Sequence, residues 1–169
     1  MADAGRSIEG LRILAIDDSA SARKVFQGVL TRLGVTLPDL RFASSAPEAL
    51  QLFTQWRPDL VFVDIDLRTS PARPAATTAP ATPVAPPSGG MGEVDGDELA
   101  KVLLQRNPHL RLVVVTAYDS DHPRVKSLLA QGASEVIVKP VMASRVQEVL
   151  QKALIPPDRR RAPTRSATA

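Results

Sequence analysis

Two periods of hydrophobicity alternate along the chain. Short apolar runs at Leu11–Ile16, Leu60–Asp64, Leu112–Thr116 and Glu135–Val138 read as strands, and unbroken runs of this kind suit a parallel sheet covered on both faces. Asp39–Ser44 is a weaker run and reads as a further strand. Between the runs, apolar residues return every three or four positions, as on one face of a helix. The expected faces are Ala22, Val25, Phe26, Val29 and Leu33; Ala49, Leu52, Phe53 and Trp56; Leu99, Val102 and Leu103; Val125, Leu128 and Leu129; and Val146, Val149, Leu150 and Ala153. Start and stop signals frame them. Ser19 or Ser21 caps the first helix and Gly34 ends it. Ser45 and Glu48 form a capping box, and Pro58 closes that helix. Asp95-Gly96 opens the third helix and Pro108 closes it. Asp121-His122-Pro123 opens the fourth, with Gly132 at its end. Met142–Leu154 is the last, stopped by Pro156-Pro157. Five strands alternating with five helices predict an α/β fold: a doubly wound parallel sheet with right-handed crossovers.

One stretch breaks the pattern. Residues 68–92 carry six prolines among Ala, Thr, Ser and Gly, with no periodicity, and read as a disordered insertion. The expected organisation is a flexible leader at 1–10, one domain at 11–154 carrying that insertion, and a basic disordered tail at 155–169.

Composition narrows the chemistry. The 169 residues suit a single domain, and 44% are apolar but only 4% aromatic, so aliphatic side chains must fill the core. Without cysteine there are no disulfides, thiol nucleophiles or thiolate metal sites. The two histidines, His109 and His122, fall in apparent loops, which disfavours a zinc site. No apolar run approaches the ~18–20 residues of a membrane span, and the N-terminus lacks a signal core, so a cytoplasmic setting is expected with no membrane partner. The net charge of +3 resides in the tail, where Arg159, Arg160, Arg161 and Arg165 face Asp158. The remainder is neutral, so no nucleic-acid partner is expected.

The strand ends carry the chemistry. The runs finish in Asp17-Asp18, in Asp64, in Thr116 and in Lys139-Pro140. In a parallel sheet these ends share one edge, where ligands of open α/β folds sit. Clustered carboxylates repel unless a cation joins them, and an all-oxygen set suits Mg²⁺. A lysine and a hydroxyl beside them suit phosphoryl oxygens, and a carboxylate can act as the nucleophile. The residues alone therefore point to phosphoryl transfer onto Asp64 beside bound Mg²⁺.

In these features the chain resembles a response-regulator receiver domain, of the stand-alone, chemotaxis-regulator-like kind. Asp17-Asp18, Asp64, Thr116-Ala117, Gly132-Ala133 and Lys139-Pro140 match in order, over about Leu11–Leu154 apart from the insertion. The resemblance implies a flavodoxin-like strand order, 2-1-3-4-5. It implies that Asp64 accepts phosphate from the phosphohistidine of a sensor histidine kinase or phosphotransfer protein, switching contacts with a downstream protein. It makes Asp18 a direct Mg²⁺ ligand, Asp17 a ligand largely through water, and Asp66 a ligand through its backbone carbonyl. Thr116 and Lys139 would hold the phosphoryl group, Ala117 would leave room for it, and the Lys139-Pro140 bond would be cis. Such a protein takes part in its own phosphorylation and dephosphorylation without being a turnover enzyme. The chain departs from the pattern in its long insertion after the acceptor and in Val136, which stands where an aromatic residue is common. Asp66 and Tyr118 are expected to tune the lifetime of the acyl phosphate.

Two other readings stay open. Asp64-x-Asp66 with Thr69 nearby is similar to the motif of haloacid dehalogenase-like phosphohydrolases, with Asp64 as nucleophile and Thr116 and Lys139 in supporting positions. There, however, the closing acid pair comes late in the chain. The third reading is a receiver-shaped interaction module that never carries phosphate.

Overall fold

A computed structural model describes residues 8, 10–67 and 95–154. The expected insertion at 68–92, the tail at 155–169 and most of the leader lie outside the described residues. The described elements are β1 (Ile13–Ile16), α1 (Ala20–Arg32), a 3-10 turn (Leu37–Asp39), β2 (Leu40–Ala43), α2 (Ala46–Trp56), β3 (Leu60–Asp64), α3 (Gly96–Arg106), β4 (Arg111–Thr116), α4 (Pro123–Ala130), β5 (Glu135–Val138) and α5 (Ala143–Leu154). The strands form one parallel sheet in the order β2-β1-β3-β4-β5. This is the doubly wound sheet expected from the alternation, in the 2-1-3-4-5 order that the resemblance implies.

The sheet is covered on both sides, which is why its central strands are apolar except at their ends. Leu60 and Phe62 of β3 face α1 and α5, together with Ile13, Ala15, Val113 and Val115. Val61 and Val63 face α2, α3 and α4, together with Leu14, Ile16, Leu112 and Val114. Phe26 of α1 meets Phe62 edge to face at 4.8 Å. The two edge strands, β2 and β5, are only partly buried, which explains their weaker patterns.

Local signals act close to where they were read. The Ser19 hydroxyl accepts the Ala22 N–H and caps α1. The Ser45 hydroxyl accepts the Glu48 N–H, but the Glu48 carboxylate reaches back to the Ser44 N–H and hydroxyl, not to Ser45. His122 caps α4, its Nδ1 accepting the Arg124 N–H. Two helix faces differ from expectation. Val25 is 59% exposed while Leu30 is buried, and Leu129 is 40% exposed. Each of these helices meets the sheet along a narrow stripe, so one flank of the apolar face stays outside.

Gly96 fixes how closely α3 approaches the sheet. A Cβ there would run into the Asp64 carbonyl oxygen and lie 2.7 Å from the Ile65 Cα. Both obstacles are backbone, so relief requires moving the helix or the strand end. Gly96→Ala is therefore expected to cost about 1–3 kcal/mol of stability, as overpacking does, and urea denaturation measures it. Unchanged stability would show that α3 docks less tightly than described.

Candidate functional site

The parallel register aligns the carboxyl ends of the strands. Ile16 pairs with Ala43 and Val63, Asp64 with Val115, and Thr116 with Val138. The next residues of β1 and β5, Asp17-Asp18 and Lys139, therefore emerge beside Asp64. Asp64 is a charged residue inside a buried strand, 3% exposed, and Thr116 is fully buried. Asp17, Asp18 and Asp64 each present a carboxylate oxygen within 4.8 Å of the others.

Asp64 has partners on both oxygens. The Asp66 N–H donates to Oδ1 at 2.9 Å, and Lys139 Nζ donates to Oδ2 at 2.5 Å. Lys139 also lies 3.8 Å from Asp17, so one cation serves two acids. Asp17 is tied to the start of α1 by the Ser19 N–H, which donates to its Oδ1 at 2.8 Å. Burial, outweighing that bond, raises the Asp17 pKa above its ordinary value; the charge on Asp64 adds to the rise. For Lys139 burial acts downward, but the hydrogen bond to Asp64 and the charges of Asp64, Asp17 and Asp66 lift it above the ordinary lysine value.

The other expected site residues ring this centre. The Thr116 hydroxyl accepts the Tyr118 N–H at 3.0 Å. The Ala117 N–H donates to the Asp66 carboxylate at 3.4 Å, which holds that side chain across the site. The Tyr118 ring stacks on His122 with centroids 4.1 Å apart. The Lys139-Pro140 bond is cis. Val136 is half-buried against the α2–α4 side of the core. Sequence reasoning missed Arg124 and Asp97, which form an ion pair at 2.6 Å beside the site. Their only signal was the charge they place near the starts of α4 and α3.

No family model matches the chain. Chemotaxis protein CheY of Thermotoga maritima is 26% identical over 143 residues, covering 85% of this chain and 97% of CheY. Chemotaxis protein CheY of Bacillus subtilis is 27% identical over the same shares. The solved receiver domain of NtrX from Brucella abortus superposes with a TM-score of 0.64 at 27% identity, covering 84% of this chain and 97% of that domain. The chain is homologous to CheY-like response-regulator receiver domains. This receiver homology supports a role in two-component signalling. Among the described residues, no helix is long and apolar enough to cross a membrane.

The raised pKa of Asp17 has a consequence for stability. A carboxyl raised on folding holds its proton longer in the folded state than in the unfolded one. Stability is then lost as pH rises from the ordinary value of 3.8 through the raised one. Asparagine removes the charge yet keeps an acceptor for Ser19. In chelator, Asp17→Asn is expected to be more stable than wild type at neutral pH, with the difference vanishing below the ordinary aspartate range. Urea denaturation across pH checks this; a less stable variant at neutral pH would contradict it.

Proposed function

We propose that this chain is a receiver that accepts a phosphoryl group on Asp64 from the phosphohistidine of a sensor histidine kinase or phosphotransfer protein, and that its phosphorylation changes contacts with a downstream protein. The observation that carries the reading is a buried strand-end carboxylate bridged by Lys139 and flanked by the Asp17-Asp18 pair.

The donor set fits Mg²⁺: three carboxylates, all oxygen ligands, gathered closely enough to share one ion. Asp17, Asp18 and Asp64 would hold it, with the Asp66 backbone carbonyl. When bound, the ion supplies neutralising charge for the phosphoryl oxygens. In the transfer, an Asp64 carboxylate oxygen bonds to phosphorus while the phosphorus–nitrogen bond of phosphohistidine breaks. The imidazole nitrogen leaves with that electron pair. Lys139, already on Asp64 Oδ2, stays within reach of the arriving phosphoryl oxygens and offsets their charge. The Thr116 hydroxyl, which accepts from Tyr118, keeps its own proton to donate to a phosphoryl oxygen. Ala117 adds no bulk beside that group. Asp66 and Tyr118 lie along the approach of the water that later hydrolyses the acyl phosphate, Asp66 held by Ala117 and Tyr118 by its stack on His122.

With Mg²⁺ and a small phosphodonor such as phosphoramidate, the wild-type protein is expected to gain one phosphoryl group by intact mass, and Asp64→Asn none. Continuous turnover of a phosphate ester would favour the phosphohydrolase reading instead. No incorporation from any donor or kinase would favour the interaction module. Once phosphorylated, Asp66→Asn and Tyr118→Ala are each expected to change the rate of phosphate loss severalfold. If both decay at the wild-type rate, their tuning role is wrong.

A further inference from the structure

Residues 65–95 separate the end of β3 from the start of α3. A connection that long sets no geometric limit on where the helix begins. Yet the first turn of α3 lies against the acceptor itself, with Gly96 packed on the Asp64 carbonyl. Direct contacts must hold the two together, and one comes from a third element. Arg124, in the first turn of α4, donates from Nη2 to Asp97 Oδ1 at 2.6 Å and to the Ile65 carbonyl at 3.4 Å. Asp95 lies 3.8 Å from the same nitrogen. Ile65 directly follows the acceptor, and its own N–H is bound to the Val115 carbonyl of β4. Arg124 also lines a cavity of about 400 Å³ with Asp66, Leu67, Ala117 and Tyr118, next to the phosphoryl site.

We propose that Arg124 is a positioning residue for the acceptor: it clamps the Asp64–Ile65 backbone to the first turn of α3, a constraint that a short β3–α3 connection would otherwise supply. This rests on Asp64 being the phosphoacceptor. A guanidinium suits the task because it is planar and offers fixed, separate N–H directions to two acceptors. Lysine keeps the charge, but it lacks the planar fork that fixes the two N–H directions of Nη2, and its shorter stem changes the reach to Asp97 and the Ile65 carbonyl. The clamp also joins α4 to the acceptor, so displacement of either is felt by the other.

The test compares wild type, Arg124→Met, Arg124→Lys and Asp97→Asn, with Asp64→Asn as control. Three quantities are read: the rate of phosphorylation by phosphoramidate with Mg²⁺, the thermal midpoint, and amide hydrogen exchange at Ile65 and Leu67. Arg124→Met is expected to be phosphorylated roughly tenfold more slowly, the scale of a displaced reacting group, and to exchange faster at Ile65 and Leu67. Arg124→Lys is expected to keep the wild-type midpoint through its charge pair while still losing rate. That split is one a merely structural role would not give. Asp97→Asn is expected to fall between. If Arg124→Met does not fold, Arg124→Lys and Asp97→Asn decide. Wild-type rate and exchange in the folded variants overturn the clamp and leave the Asp64 reading intact. If wild type itself takes no phosphate, that reading fails, and the exchange data alone decide on the clamp.

Discussion

The ion pair between Lys139 and Asp64 is the constraint around which the site is built. Three carboxylates at one sheet edge repel one another, and burying one of them removes the water that would screen it. Lys139 meets this by serving Asp64 and Asp17 at once, from a strand two places away from β3. A parallel sheet with this register delivers an acid pair, a buried carboxylate, a hydroxyl and a lysine to one edge from four separate strands. The apolar strands are therefore part of the site, since a slip in their pairing would move every functional side chain.

The site is also tied outward to the helices. Asp17 is bound to the N-cap turn of α1, Asp64 lies beneath the first turn of α3, and Thr116 leads through Tyr118 to His122 at the cap of α4. Val136 offers no aromatic ring for coupling Thr116 to β5. The stacked pair Tyr118–His122 and the Arg124 contacts instead connect the site to the start of α4.

Much of this was legible in the chain. The central strands were plain because both their faces are buried, which demands apolar residues between their ends, and the strand-end residues stood out because each is polar at the close of an apolar run. Helix faces were less secure. Val25 and Leu129 satisfy helical spacing yet face solvent, because spacing identifies a stripe without saying how much of its width the sheet covers. The 3-10 turn at Leu37–Asp39 went unread, since its Leu-Pro-Asp sequence has no period to detect. Glu48 fitted a capping box but chose Ser44, a preference that depends on local side-chain geometry.

By itself the sequence determined the alternation of strands and helices and the kinds of groups at the strand ends. Those follow from local periodicity and from residue type, which need no knowledge of distant partners. The tertiary structure decided which groups meet. Lys139 finds Asp64 across 75 positions and Arg124 finds Ile65 across 59, and no local pattern encodes such pairs. They exist because strand order and helix docking bring remote backbone together, at distances short enough for hydrogen bonds.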